Sequence, residues 1–175
     1  LVLSVNATNR EAAGDFNAEV VAIPDDPRDL SGLDKTIEYL MAREVRFRID
    51  PIIEPIGCGF APSLSRYLQV RKRYPQAAMM MGIGNLSEMT QVDSAGVNML
   101  LIGFCQELNI QSVLTTQVIN YARSSVGEIN IARQLCYHAV KYNRPAKHLD
   151  DALVMLRDEK LHAMGEDDLA ELAAK

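Results

Sequence analysis

The stretch Arg46-Phe47-Arg48-Ile49-Asp50-Pro51, followed by a Gly/Pro-rich loop to Pro62 and a helical pattern from about Ser63 to Tyr74, decides how the rest of the chain is read. A short β-prone run ends abruptly on an acidic residue and a proline. A loop and an amphipathic helix come next. That is one β/α unit, and the same order recurs on both sides of it. Upstream, Val2–Val5 and Glu19–Ile23 read as strands, and Asp29 to Val45 as a helix with Leu30, Leu33, Ile37, Leu40 and Met41 at helical spacing. Downstream, Ala77–Ile83 and Gln111–Thr115 read as strands, with helices from about Asp93 to Leu108 and Val126 to Lys141. Alternating strands and helices predict a parallel α/β sheet.

Five strands do not close a β/α barrel, which needs eight. Either three strands precede Leu1 or the fold is an open five-stranded sheet. The chain opens inside a strand pattern without an initiator Met and stops at Ala173-Ala174-Lys175 inside a helical one, so a piece of a longer protein is expected. Residues 1–144 form the β/α part. Residues 145–175 form a helical extension, read as two amphipathic helices at Ala146–Lys160 and Glu166–Ala174.

The composition narrows the partners. The chain has 175 residues, a net charge of −5 and 48% hydrophobic residues, enough apolar material for one packed core. Mild acidity argues against nucleic acid, which needs a concentrated basic face. The densest basic run, Arg71-Lys72-Arg73, reads as the solvated end of a helix, where positive charge suits the dipole. No apolar run approaches a membrane span of about 18 residues, and no secretory leader is visible. Cys58, Cys105 and Cys136 are scattered and odd in number, which suits reduced thiols in a cytoplasm and no metal framework.

In a barrel the ligand sits where each strand runs into its following loop. The polar residues there are Asn6, Asp25 with Asp26, Asp50, Asn85 with Glu88, and Thr115-Thr116-Gln117. An ionised carboxylate at Asp50 can accept two parallel hydrogen bonds from a planar amidine-like edge, such as that of a 2-amino-4-oxopyrimidine. A turn aspartate serving only its own loop explains the same residue equally well. Asn85 closes Gly82-Ile83-Gly84-Asn85, where glycines admit a ligand and the amide both donates and accepts; a plain strand-to-helix turn has the same composition. Arg123 is placed to meet an anionic substrate tail or, more simply, to pair with Glu128. His138 lacks metal-spaced partners and reads as a packing residue, and Met79-Met80-Met81 reads as core.

Three motifs in order resemble the pterin-binding barrel family, which contains dihydropteroate synthases and methyltetrahydrofolate:corrinoid methyltransferases. Leu3-Ser4-Val5-Asn6-Ala7 resembles its fourth strand. Arg48-Ile49-Asp50-Pro51 with Gly57-Cys58-Gly59-Phe60 resembles its Asp-Pro…Gly-Phe strand and loop. Gly82-Ile83-Gly84-Asn85-Leu86-Ser87 is similar to the methyltransferases' Gly-Leu-Ser-Asn-Val-Ser. The resemblance runs from Leu1 to about Val140. It implies the C-terminal part, strands four to eight, of a TIM-type (β/α)8 barrel followed by a helical tail. It also implies that Asp50 binds a pterin's pyrimidine edge, Asn6 its other polar groups and Asn85 its reactive ring side, with Asp25, Glu88 and Arg123 as secondary contacts.

The activity it implies joins a pterin-methyl diphosphate to an arylamine, in folate or tetrahydromethanopterin-type cofactor biosynthesis. Magnesium would accompany the diphosphate at a site outside this stretch, and the isolated piece would be inactive. The alternatives are methyl transfer from a methylated tetrahydropterin to a corrinoid, or a non-catalytic pterin-binding module. One departure stands out: ordinary synthases carry Ser-Arg-Lys where this chain continues into Leu86-Ser87-Glu88. Barrel faces and tail helices leave room for a homodimer.

Overall fold

A computed structural model describes residues 3–154. Five short strands, β1 (Ser4–Val5), β2 (Val20–Ala22), β3 (Phe47–Ile49), β4 (Met80–Gly82) and β5 (Ser112–Leu114), alternate with helices. The helices are α1 (Ser31–Ala42), α2 (Phe60–Arg73), the single turn α3 (Gly84–Ser87), α4 (Ser94–Glu107) and α5 (Ser125–Tyr142). Two 3₁₀ turns, Arg10–Asp15 and Asn120–Ala122, fill the longer loops. The chain is therefore mixed α/β; the five strands and the four longer helices lie inside or close to the segments their periodicity predicts, while α3 and the 3₁₀ turn at Asn120–Ala122 carry no such signal.

All strand pairs are parallel. One sheet runs β1-β2-β3 and the other β4-β5, with a parallel bridge from Ile49 to Met79 between them. The Ile49 N–H also donates to the Ala78 carbonyl at 2.9 Å. Spatial neighbours thus follow chain order, with no switch point. Register places Val5, Ala22, Ile49 and Met79 in one row. All four are buried in one core with Leu33, Ile37 and Leu40 of α1, Val70 of α2, and Leu101 and Ile102 of α4. Asn6 and Asp50 each follow the last residue of a strand, β1 and β3, and so lie at the same end of the sheet.

Helix ends follow local chemistry. The α5 helix stops at Asn143 and α4 is followed by Asn109, both with left-handed backbone (φ 49° and 53°), a conformation asparagine tolerates better than most residues. Arg71 corrects the reading of Arg71-Lys72-Arg73 as a wholly solvated end. Its guanidinium donates to the carbonyls of Tyr74, Pro75 and Ala77 and reaches across to those of Leu108 and Asn109 after α4. These are orphan acceptors at helix and loop ends, and a forked five-donor cation satisfies several at once. Arg73 pairs with Asp34 of α1, which also accepts the Tyr74 hydroxyl at 2.6 Å.

Glu128 supplies the second correction. It forms no ion pair with Arg123, which is exposed. Its buried carboxylate accepts instead from Ser94 Oγ (2.7 Å), Asn98 Nδ2 (2.7 Å) and Ser124 Oγ (2.6 Å). Neutral donors near two helix N-termini thus stand where a cation was expected, and they pin α4 to α5.

Of the expected helix at 146–160, residues 146–154 are described and run as turns and coil. Asp150 Oδ1 takes the Ala152 N–H at 2.8 Å, a local bond that competes with helix formation. Residues 155–175, with the rest of the expected tail, lie outside the described residues. No helix among the described residues is long and apolar enough to cross a membrane.

Removing the Glu128 carboxylate leaves three donors without their acceptor, two of them, on Ser94 and Asn98, buried. Glu128→Ala in the intact protein should lower the unfolding free energy by about 3 kcal/mol, and the near-isosteric Glu128→Gln by clearly less. Urea unfolding followed by circular dichroism measures both, and equal losses would show that the carboxylate's acceptors do not matter.

Candidate functional site

Asp50 follows β3 directly and is almost wholly buried. Its Oδ1 accepts two hydrogen bonds, from the Tyr67 hydroxyl at 2.5 Å and from the Ile52 N–H at 2.8 Å. The Gly82 N–H also donates to the carboxylate, whose Oδ2 lies beside that glycine. Burial pushes the Asp50 pKa up. The bonds from Tyr67, Ile52 and Gly82 and the charge of Arg66 pull the other way without cancelling it. Burial likewise raises the Tyr67 phenol well above 10, reinforced by the Asp50 charge, so Tyr67 stays a donor. Two donors use both lone pairs of Oδ1. Oδ2, beside Gly82, is the less occupied of the two oxygens.

The loop after Asp50 is held by a cation that sequence inspection missed. Arg66, buried in α2, donates to the carbonyls of Pro51 (2.7 Å), Ile52 (2.6 Å) and Pro27 (2.8 Å), and to Glu54 Oε2 at 3.2 Å. Ile52 sits at φ 64°, a left-handed conformation costly for a β-branched residue. Its N–H is held by Asp50 and its carbonyl by Arg66, so the strain is locked from both sides. The nearest sequence signal was Arg66-Tyr67 itself, two polar residues on the α2 face that carries Ser63 and Val70 into the interior.

Asn85 opens α3 and is exposed, with Nδ2 donating to the Ile53 carbonyl at 2.9 Å. The loop anchored by Asp50 therefore also anchors Asn85, and these two expected site residues share one piece of structure. Asn6 lies two strands away from Asp50 in the same register row, about 10 Å by strand spacing. Its Oδ1 accepts from the Thr8 N–H and hydroxyl, and no bond joins it to Asp50 or Asn85. Asp25 ties the first two loops together by accepting the Ala7 N–H at 2.8 Å. Its Oδ2 fills the space a Cβ on Gly32 would need.

Glu88 follows α3 and accepts from Thr116 Oγ1, while its carbonyl takes the Tyr121 hydroxyl at 2.7 Å. Both link the β4 and β5 loops. A cavity of about 140 Å³ lies there, lined by Gly82, Gly84, Asn85, Glu88, Met89, Leu114, Thr115 and Thr116. A larger one of about 590 Å³ lies between the β2 and β3 loops, with Arg66, Glu54 and the exposed Cys58 in its wall. Arg123 lines neither. Among the described residues no cluster of three His, Cys, Asp or Glu side chains could hold a metal ion. Burial raises Cys105 to about 12, keeping it a thiol.

No known family profile matches the chain. It is 28% identical over 178 residues to an uncharacterised protein of Methanocaldococcus jannaschii, an alignment that covers 91% of this chain and 34% of that protein. The chain thus spans about a third of the length of the relative it matches.

Two outcomes follow from this geometry. Arg66→Lys, which keeps the charge but loses the fork, should cost about 3 kcal/mol of stability by leaving buried carbonyls unpaired; a denaturation midpoint within error of the parent would contradict that. Asp50 also sets a pH dependence. Its native pKa lies above the ordinary 3.8, so its protonated form stabilises the fold fully below pH 3.8. That contribution disappears as pH rises through the native value. Asp50→Asn does not ionise, so its stability relative to the parent should improve as pH rises from 3.8 and then level off. Thermal melts of both proteins across that range measure the difference, and a constant offset would refute it.

Proposed function

We propose that this chain is part of a pterin-binding (β/α)8 barrel, a transferase of the dihydropteroate synthase-like type. The reaction would join a pterin-methyl diphosphate to an arylamine with loss of pyrophosphate. The observation that carries the reading is the buried, pre-oriented Asp50 carboxylate on the rim formed by successive parallel strands, with Oδ2 beside the side-chain-free Gly82. A flat ring can approach a glycine backbone closely, and an N–H on its pyrimidine edge would meet a fixed, desolvated acceptor.

The strand order supports the barrel half of the proposal. Parallel neighbours in chain order, with helices gathered on the core row, are what an arc of a barrel requires. The longer relative leaves room for further strands. The pterin would lie along the rim between Asp50 and Asn85, with Asn6 at the far end. The diphosphate and its magnesium would be held by residues outside this stretch.

Methyl transfer is the second reading. Asn85, turned by its bond to Ile53, would present its amide oxygen to a reduced pterin's N5 hydrogen. Asn85→Ala would then slow methyl transfer to a corrinoid more than it weakens pterin binding.

The full-length protein should bind 6-hydroxymethylpterin saturably in a fluorescence titration. Asp50→Asn should weaken that binding by about tenfold, the value of one charge-assisted hydrogen bond. No binding, or an unchanged affinity in the variant, would sink the proposal.

A further inference from the structure

We infer that the exposed face at the C-terminal end of α5 is a docking surface for a short acidic segment of a partner protein, one with apolar side chains between its carboxylates. The inference does not rest on the pterin reading. It starts from an uneven distribution of charge. From Asn130 to Leu149 the chain carries Arg133, Lys141, Arg144 and Lys147 and no Asp or Glu. That segment contributes +4 to a chain of net charge −5, so the remainder carries −9. All four cations are exposed, and none forms an ion pair among the described residues. Glu107, which acts electrostatically on Cys136, and Asp150, which lines a cavity with His138, are neighbouring acids, and neither pairs with them.

Helical spacing puts Arg133, Tyr137, Val140 and Lys141 on one face of α5, and Arg144 follows just past the left-handed Asn143. Tyr137, Val140 and Tyr142 are 54%, 45% and 56% exposed, an apolar strip among the cations. The Lys141 ammonium stands 5.5 Å from the Tyr137 ring and 5.4 Å from that of Tyr142, and the Arg144 guanidinium stands 5.5 Å from Tyr142. Arg144 also donates to His138 Nε2 at 2.8 Å, an acceptor here because a guanidinium only donates. The rings and the imidazole hold Lys141 and Arg144 in place, so an arriving carboxylate immobilises little that was free.

The size of the strip selects the occupant. From Arg133 to Arg144 it runs about 17 Å at the helical rise, a length that about five or six residues of extended peptide span. Carboxylates would meet the cations, and apolar side chains would cover the tyrosines. A nucleic acid or an anionic membrane spreads its charge over a far larger area. Either would also face the acidic remainder of the chain, which repels it. A short peptide touches the strip alone. Its location keeps the candidate site clear. Arg133 lines a cavity of about 280 Å³ with Asn109, Ile110 and Gln111, the residues that lead into β5. The strip therefore lies toward the amino ends of the strands, whereas Asp50 and Asn85 follow carboxyl ends.

Full-length protein titrated by fluorescence anisotropy with a labelled Glu-Leu-Glu-Glu-Leu-Glu peptide tests this. The peptide should bind saturably, and more weakly as salt rises; its counterpart with Lys for every Glu should not bind. Lys141→Glu and Arg144→Glu should each weaken the acidic peptide by about tenfold or more, and Tyr137→Ala should weaken it less, all three melting near the parent temperature. Lys72→Glu, the same charge change on an exposed site of α2, should leave the affinity unchanged. Absence of saturable binding, or an equal loss from Lys72→Glu, would overturn the inference. Displacement of the peptide by a short oligonucleotide or by phosphatidylserine vesicles, at lower concentration than by unlabelled peptide, would also overturn it and reassign the strip to nucleic acid or membrane. Combined Glu166→Gln, Asp167→Asn, Asp168→Asn and Glu171→Gln, at positions outside the described residues, should leave the affinity unchanged. A gain there of about tenfold would give the strip to this chain's own acidic stretch and remove the partner.

Discussion

The guanidinium of Arg66 is the constraint on which the candidate site depends. It enters the interior from α2 and gathers the carbonyls of Pro51, Ile52 and Pro27 around one planar cation. Buried carbonyls in an irregular loop have no ladder to join, and leaving them unpaired costs about 1–3 kcal/mol each. By satisfying them, Arg66 lets the chain leave β3, pass through a left-handed isoleucine and present Asp50 beside Gly82. The next residue, Tyr67, binds the Asp50 carboxylate itself. Adjacent residues of one helix therefore hold both the loop and the acid it displays.

Elsewhere the same strategy recurs with different chemistry. Arg71 collects carbonyls at the ends of α2 and α4, and Glu128 collects hydroxyl and amide donors at the starts of α4 and α5. One is a cation serving helix C-terminal acceptors, the other an anion serving helix N-terminal donors. Each complements the local dipole, and each ties elements that are far apart in sequence. The apolar core supplies most of the burial, and these polar ties set how the helices sit on the strands.

Much of the architecture was legible from periodicity. Leu33, Ile37 and Leu40 announced α1 and are buried as their spacing requires. The abrupt end of the β-prone run at Ile49 put Asp50 directly after β3, where it stands. Strand lengths were overread by a few residues, because apolar character continues past the last paired residue into buried positions such as Ile83. The tail at 146–154 was read as helix from its apolar spacing, yet the local bond at Asp150 favours a turn, and periodicity is blind to that competition.

The candidate site divides along the same line. The identities of Asn6, Asp50, Asn85 and Glu88 and their places after strands follow from the linear order of residues alone, since a strand end is a local event. Which lone pairs of Asp50 remain open, which way the Asn85 amide turns, and that Glu88 meets Thr116 rather than a cation were decided by tertiary structure. Those outcomes depend on partners 17 to 32 residues away, and no spacing rule predicts which distant side chain a folded loop brings within hydrogen-bond reach.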